Sequence, residues 1–357
     1  MSGAGSFGVL NVRVRAALAQ LLTSADFARL MRAESSTAFA NALAATAYGE
    51  YLVGSDLQEI SSRRLGYQMR KRIPEKFKLF RDYAPQAAGR LIDVLFRLYE
   101  LDNLKVVLRG INLGDKWQKV LYLLFPMGEF KSLPFQAMVE TADLGSAIAL
   151  TAGSEYYEPM RAALPRVAQE GTLFSLEVAL DLNYWTRVWS LTNALKGSDR
   201  SLARELIAVI IERNDLIWAV RYARFHHLNE AEIINYTLGF SPKVPDSLLI
   251  DIANGSSLYD LLPRIYPDIQ LEPRVDDMTY RLNGLEVALQ RREQSLLRNK
   301  LSAYPFSIGG ALAYLFLLED EVRDLTMILE AVSLGLSRSS YQPYLISIPA
   351  AQAAAES

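Results

Sequence analysis

The chain has 357 residues, half of them hydrophobic, with a formal net charge of −2 and a pI near 5.9. This near-neutral balance argues against a dedicated nucleic-acid-binding protein, which usually carries a basic excess. The absence of cysteine excludes disulfides, thiolate catalysis and cysteine metal sites, and it suits a reducing cytoplasm. No apolar run reaches the roughly 18 residues that a membrane-spanning helix needs.

Helical periodicity and a shortage of alternating, β-branched segments predict a nearly all-helical chain. The segment 74–85 is predicted as a connector, 117–170 as short helical pieces divided by Pro and Gly, and 337–357 as a mobile tail. In chain order, the main predicted helices cover 9–22, 26–32, 37–48, 57–72, 85–113, 174–196, 202–225, 278–300 and 306–334.

The helix predicted around 204–225 contains an unusual polar stretch. It is apolar on a surface too broad for a simple amphipathic helix, yet Glu212, Arg213, Asn214 and Asp215 follow one another at its middle. Such groups cost roughly 2–7 kcal/mol each when buried without partners. We therefore expect them to face a polar cavity, a partner protein or one another.

The same pattern recurs along the chain. Residues 100–109 align without gaps with residues 212–221, and a weaker third copy begins at Glu321. Residues 27–48 likewise match residues 135–156. Because the copies lie about 110 residues apart, the sequence predicts three similar helical modules. We place them at 1–105, 106–215 and 216–336, with the long helices shared between modules.

The order of these motifs resembles the C subunit of the V-type/A-type rotary ATPases, in a family that includes the d subunit of the eukaryotic vacuolar enzyme. The resemblance covers about residues 9–336 and rests on 11–15 (NVRVR), 212–216 (ERNDL), 311–315 (ALAYL) and 319–325 (EDEVRDL). The third copy departs from the second, since Arg323-Asp324 stands where Asn214-Asp215 does.

The resemblance implies an all-α funnel of three similar modules with pseudo-threefold symmetry. It further implies a non-catalytic adaptor of the central stalk that binds no cofactor and no nucleotide itself. Its partners would be the membrane rotor ring and the stalk shaft, and it would transmit torque for proton or sodium transport. It would lie peripherally on the cytoplasmic face of the membrane.

Two sets of candidate contact residues follow. The first would line a socket for the shaft or form a polar network that fixes the modules, and charge reversal at Glu212 or Asp215 would then weaken shaft binding. The second is a basic face for a partner or for lipid headgroups, or else only a solvated helix surface. The first set is Glu100, Asp102, Asn103, Arg109, Glu212, Asn214, Asp215, Arg221, Glu321, Arg323 and Asp324; the second is Arg63, Arg64, Arg70, Lys71 and Arg72.

The glycine motif and the histidine pair allow other interpretations. Gly3 to Gly8 spells G-x-G-x-x-G, but a dinucleotide site needs a preceding strand, so we expect a flexible terminus there. The adjacent His226 and His227 are the only histidines, and we interpret them as a helix C-terminal cap rather than a metal site. The alternative to a rotary-ATPase adaptor is a soluble α-helical repeat scaffold for protein–protein interaction.

Overall fold

A computed structural model describes residues 7–130, 132–269, 271, 278–303 and 306–347. All regular structure in these residues is helical, which confirms the all-α prediction. The α-helices are α1 Gly8–Leu18, α2 Ser24–Met31, α3 Ser36–Ala44, α4 Ser62–Arg70, α5 Arg72–Tyr83, α6 Gln86–Asn112, α7 Trp117–Leu121, α8 Phe135–Val139, α9 Leu144–Ala149, α10 Tyr157–Glu170, α11 Phe174–Ala194, α12 Gly197–Phe225, α13 Glu230–Asn235, α14 Asp246–Ala253, α15 Leu258–Ile265, α16 Met278–Ala303, α17 Ile308–Ser333 and α18 Arg338–Tyr341. Short 3₁₀ helices cover Ala47–Leu52, Gly128–Phe130 and Gln342–Tyr344.

The order of elements repeats three times. A unit of short helices is followed by longer helices, and each repeat ends in one long helix: α6, α12 and α17. We call these three the repeat helices. The boundaries expected at 105/106 and 215/216 fall inside unbroken α6 and α12, and the division into modules at these points stays a prediction.

Most of the segment 74–85, predicted as a connector, belongs to helix α5, and only residues 84–85 connect α5 to α6. Pro74 lies in the first turn of α5, where the missing proline N–H costs nothing because no intrahelical partner exists there. Helix α4 begins at Ser62 rather than at 57 because the Ser61 side chain accepts a hydrogen bond from the Arg64 backbone and caps it. Helix α2 starts at Ser24, with Thr23 as N-cap and Asp26 completing a capping box.

The last repeat helix closes the fold on the beginning of the chain. Helix α17 packs against α1, α3, α4 and α5 as well as against α12 and α16. Its residues from Ile308 to Leu318 are all buried. The most apolar stretch of the sequence is therefore a core helix. None of the helices in the described part of the chain is long and apolar enough to span a membrane.

The segment predicted as a mobile tail is packed over its described part. Helix α18 lies beyond α17, and Tyr341, Leu345 and Ile346 are buried. The prediction of mobility is thus wrong for 337–347 because these apolar side chains find a place in the core. Residues 348–357 of that tail lie outside the described residues, as do residues 3–6 of the glycine motif.

The histidine pair lies at the end of α12, as expected for a cap. His226 is the C-cap residue, and its ring stacks on Phe174 with 3.9 Å between centroids. Burial, and then the neighbouring His227, lower the pKa of His226. The ring of His226 is therefore packed against Phe174 in an environment that disfavours its charged form.

Candidate functional site

Each repeat helix carries a buried glutamate bonded to a tyrosine from a short-helix unit. Glu100 accepts from the Tyr156 hydroxyl at 3.1 Å, and Glu212 accepts from Tyr266 at 2.7 Å. In both cases the tyrosine lies in the unit that follows. Glu321 instead accepts from Tyr48, near the start of the chain, at 2.7 Å. The third contact thus joins the end of the chain to its beginning.

Three residues after each glutamate, a second polar side chain fixes a loop. Asn103 bonds the backbone N–H and C=O of Phe125, at 2.7 and 3.0 Å. Asp215 accepts from Leu238 and Gly239 at 2.7 and 3.1 Å. By accepting from two backbone N–H groups, the carboxylate supplies hydrogen bonds that the loop would otherwise lack.

The third copy uses the C-terminal segment in the same way. Asp324 accepts from the backbone N–H groups of Ile346 and Ser347 at 2.9 and 2.6 Å. The sequence separations of these bonds, 22 and 23 residues, match those of the other two repeats. Residues 346–347 therefore occupy the position of the loop that follows α6 and α12.

A buried arginine completes the third copy. Arg72 donates to the Gln20 carbonyl at 2.8 Å and to Glu321 at 3.4 Å. Its guanidinium carbon lies 4.6 Å from the ring centroid of Tyr48. Glu321 also accepts from the Leu22 backbone N–H at 2.6 Å. This cation, fully buried, links the first loop, the first short-helix unit and the last repeat helix.

Arg72 consequently does not belong to the predicted basic contact face. Lys71 joins α4 to α5 in a helical backbone conformation, and Arg72, the first residue of α5, is fully buried. Arg70 is half-buried and lines the cavity described below. Arg63, Arg64 and Lys71 remain exposed, and their role as a contact face stays a prediction.

A cavity of about 870 Å³ lies between the three repeat helices, and we call it the central cavity. The residue two positions after each glutamate lines it: Asp102, Asn214 and Arg323. The residue two positions before each glutamate, Leu98, Ile210 or Glu319, lines it as well. Three equivalent helix faces therefore meet at one space.

Helix geometry explains why adjacent polar residues have different places. With about 3.6 residues per turn, positions i and i+3 share a side of the helix, whereas i+2 lies on the opposite side. Apart from Arg109, the predicted polar residues thus fall into two groups. Those within the repeats are Glu100, Asn103, Glu212, Asp215, Glu321 and Asp324; those at the cavity are Asp102, Asn214, Arg221 and Arg323. Arg109 is exposed and forms a bidentate pair with Glu177, both distances being 2.6 Å.

The central cavity is lined by charges of both signs. Arg213 pairs with Glu293 at 2.8 Å, and Arg221 pairs with Glu286 at 2.9 Å. Lys105 pairs with Asp181. Sequence comparison missed Lys105, Asp181, Glu293 and Glu319, although the last could have been found by extending the alignment two residues upstream of each glutamate.

Several cavity carboxyl groups hold protons more tightly than usual. Desolvation between the helices raises the pKa of Glu319 to about 7 and that of Asp102 to about 6. Asp102 is open to the cavity, yet protein surrounds it closely enough to disfavour its charge. Desolvation and then the nearby Glu293 raise the pKa of Asp320 well above its ordinary value. A cationic group placed beside these carboxyl groups would favour their charged form.

We expect Glu319→Gln to stabilise the protein in a pH-dependent way. The pKa of Glu319 rises from an ordinary 4.5 to about 7, so the folded chain binds the proton more tightly. Stability is then lost as the pH rises from 4.5 to 7. Glutamine does not titrate and can still accept from Tyr99, whose hydroxyl lies 2.8 Å from Glu319. Urea unfolding measures how much more stable the variant is than the native chain. This difference should be about 1–3 kcal/mol larger at pH 8 than at pH 4.5. The same difference at both pH values would contradict this account.

Comparison with known proteins supplies the family. The family model described as "ATP synthase (C/AC39) subunit" matches residues 10–344. The chain is 20% identical over 349 residues to the C subunit of the A-type ATP synthase of Methanocaldococcus jannaschii, covering 96% of this chain and 86% of that protein. It is 24% identical over 328 residues to the protein of the same name from Pyrococcus horikoshii, covering 90% of this chain and 85% of that protein. The chain belongs to the ATP synthase (C/AC39) subunit family, which confirms the resemblance noted in the sequence.

Proposed function

We propose that this member of the ATP synthase (C/AC39) subunit family is a non-catalytic central-stalk adaptor of a V/A-type rotary ATPase. It would seat the rotor shaft on the membrane ion-translocating ring and transmit torque between the two. The relatives are named as the C subunit of A-type ATP synthases, which supports a place in such a complex. The central cavity is the observation that supports the proposed role in seating the shaft.

The central cavity has the properties that a shaft socket requires. Its lining comes from all three repeat helices, so force applied inside it is shared among them. Three of its cations are paired with carboxylates, which offsets part of the cost of holding charges between the helices. A polar, open lining also lets a shaft dock and release without a large apolar interface.

The contacts that close the fold supply the stiffness. Each repeat helix is fixed to a short-helix unit by a buried glutamate–tyrosine bond and by a side chain that holds a loop. Because the third set joins α17 to Tyr48 and Arg72, the repeats are closed upon one another rather than open at one end. A closed body resists twisting better than an open array, whose end repeats have only one neighbour.

A binding and coupling experiment tests this function. The purified chain should co-sediment with detergent-solubilised rotor rings of its own complex and bind the isolated shaft subunit. Membranes depleted of it should hydrolyse ATP without pumping ions, and adding it back should restore pumping. Failure to bind either the ring or the shaft would contradict the adaptor role and favour a free helical scaffold. Coupled pumping without the chain would contradict torque transmission.

A further inference from the structure

The C-terminal ends of the three repeat helices each present a large apolar residue to solvent. Leu113, Phe225 and Leu334 each lie thirteen residues after the repeat glutamate. Their exposed fractions are 72%, 53% and 74%, respectively. We call these three side chains the apolar tips. Single exposed apolar residues are common, but the same exposed position filled in all three repeats is a pattern.

The backbone holds at least two of the apolar tips in the same conformation. After Leu113, Gly114 adopts a φ of 68° and Asp115 donates to Gly110 at 2.8 Å. After Leu334, Gly335 adopts a φ of 65° and Leu336 donates to Ala331 at 2.9 Å. Both are left-handed helix ends of the Schellman type. Their leucines are thus presented by a defined helix end.

The tips lie just beyond one end of the central cavity. Arg221 and Glu330 line the cavity, and Phe225 and Leu334 follow them by four residues. Four residues of helix advance about 6 Å, or roughly one turn. On α6 the lining extends only to Lys105, but Asp102, Asn214 and Arg323 line the cavity at matching positions of all three helices. We therefore infer that all three tips lie beyond the same end.

We propose that the apolar tips dock onto a ring of identical protein subunits through an apolar site repeated around that ring. This inference rests on the proposed function and names the surface by which the chain would meet the rotor ring. Three tips related by the internal repeat fit a partner whose own sites are related by rotation. A second copy of this chain would normally pair through one self-complementary patch about a twofold axis.

The charges beside the tips favour a protein partner over an anionic membrane surface. Binding to anionic lipid relies on unpaired Lys and Arg near the apolar residues. Near the first tip, Lys119 pairs with Asp115 at 2.7 Å. Near the second, Arg224 donates to the Gly255 carbonyl at 3.1 Å. These two cations are already engaged, so apolar burial contributes more to the attraction of these helix ends than they do.

The test is a triple substitution, Leu113→Ser, Phe225→Ser and Leu334→Ser, in the full chain. Its matched control replaces exposed apolar residues elsewhere: Val12→Ser, Val53→Ser and Leu150→Ser, whose exposed fractions are 66%, 83% and 44%. We expect the tip variant to bind detergent-solubilised rings of its own complex at least about tenfold more weakly. Its affinity for the isolated shaft and its melting temperature should stay unchanged, and the control variant should bind both partners normally.

Several results would overturn the inference while leaving the proposed function intact. One is unaltered ring affinity in the tip variant while the native chain still binds both partners. Another is loss of shaft binding instead of ring binding, which would assign the tips to the shaft. Flotation of the native chain with phosphatidylserine vesicles, abolished by the tip substitutions, would favour lipid. A native dimer dissociated by those substitutions would favour a second copy. If the native chain binds neither ring nor shaft, the proposed function itself fails.

Discussion

Replacing Arg72 by alanine is expected to lower the free energy of unfolding by about 3–5 kcal/mol. The guanidinium is fully buried and contacts Glu321, the Gln20 carbonyl and the Tyr48 ring. Its removal leaves the buried Glu321 carboxyl without its cation. It also removes the contacts that link Gln20 and Tyr48 to the last repeat helix. Urea unfolding measures the loss.

Two variants separate this effect from loss of a surface charge. Arg64→Ala, on the preceding helix and exposed, should change stability by less than about 0.5 kcal/mol. In a Glu321→Gln background, Arg72→Ala should cost clearly less than in the native chain, because the carboxyl charge it balanced is gone. Equal losses for Arg72→Ala and Arg64→Ala would show that the closing contacts add nothing to stability.

The adjacent residues Asn214 and Asp215 are expected to differ sharply in their effect on stability. Asp215→Ala removes both hydrogen bonds to the backbone of Leu238 and Gly239. The buried N–H of Leu238 and the more exposed N–H of Gly239 then lose their acceptor, at a cost of about 1–3 kcal/mol. Asn214→Ala affects only the cavity face and should cost less than about 0.5 kcal/mol.

This comparison also revises the expectation from sequence that charge reversal at Glu212 or Asp215 mainly weakens shaft binding. Both side chains are buried and bonded within the fold, so Glu212→Lys and Asp215→Lys should instead lower the melting temperature and both binding activities together. A selective loss of shaft binding in a fully stable Asp215→Lys variant would contradict the division of the helix into two faces.

Much of the fold followed from the sequence because helical signals are local. Apolar periodicity predicted the long helices, and the alignment of residues 100–109 with 212–221 indicated an internal repeat. The connector expected at 74–85 was wrong over 74–83 because a proline in the first turn of a helix was interpreted as a break. The mobile tail was wrong over 337–347 because the loop-holding role of Asp324 depends on a contact that no sequence comparison displays.

The role of the candidate site stays a prediction. The polar residues were identified, but their division between the interior of the repeats and the central cavity was not. Helical geometry alone would have separated Asn214 from Glu212 and Asp215, since it lies on the opposite side of α12. The place of Arg72 was beyond the sequence, because a buried arginine in a basic run is distinguished only by long-range partners such as Glu321.

The central claim is that the shaft enters the central cavity, and the lack of native cysteine allows a direct test. A single cysteine introduced as Asn214→Cys carries a maleimide photo-cross-linker into the cavity, and Val53→Cys carries it to an exposed site. In the assembled complex, illumination should join the Asn214→Cys variant to the shaft subunit and leave Val53→Cys unlinked to it. Absence of a shaft product at Asn214→Cys, with the complex intact and the label confirmed, would contradict the account.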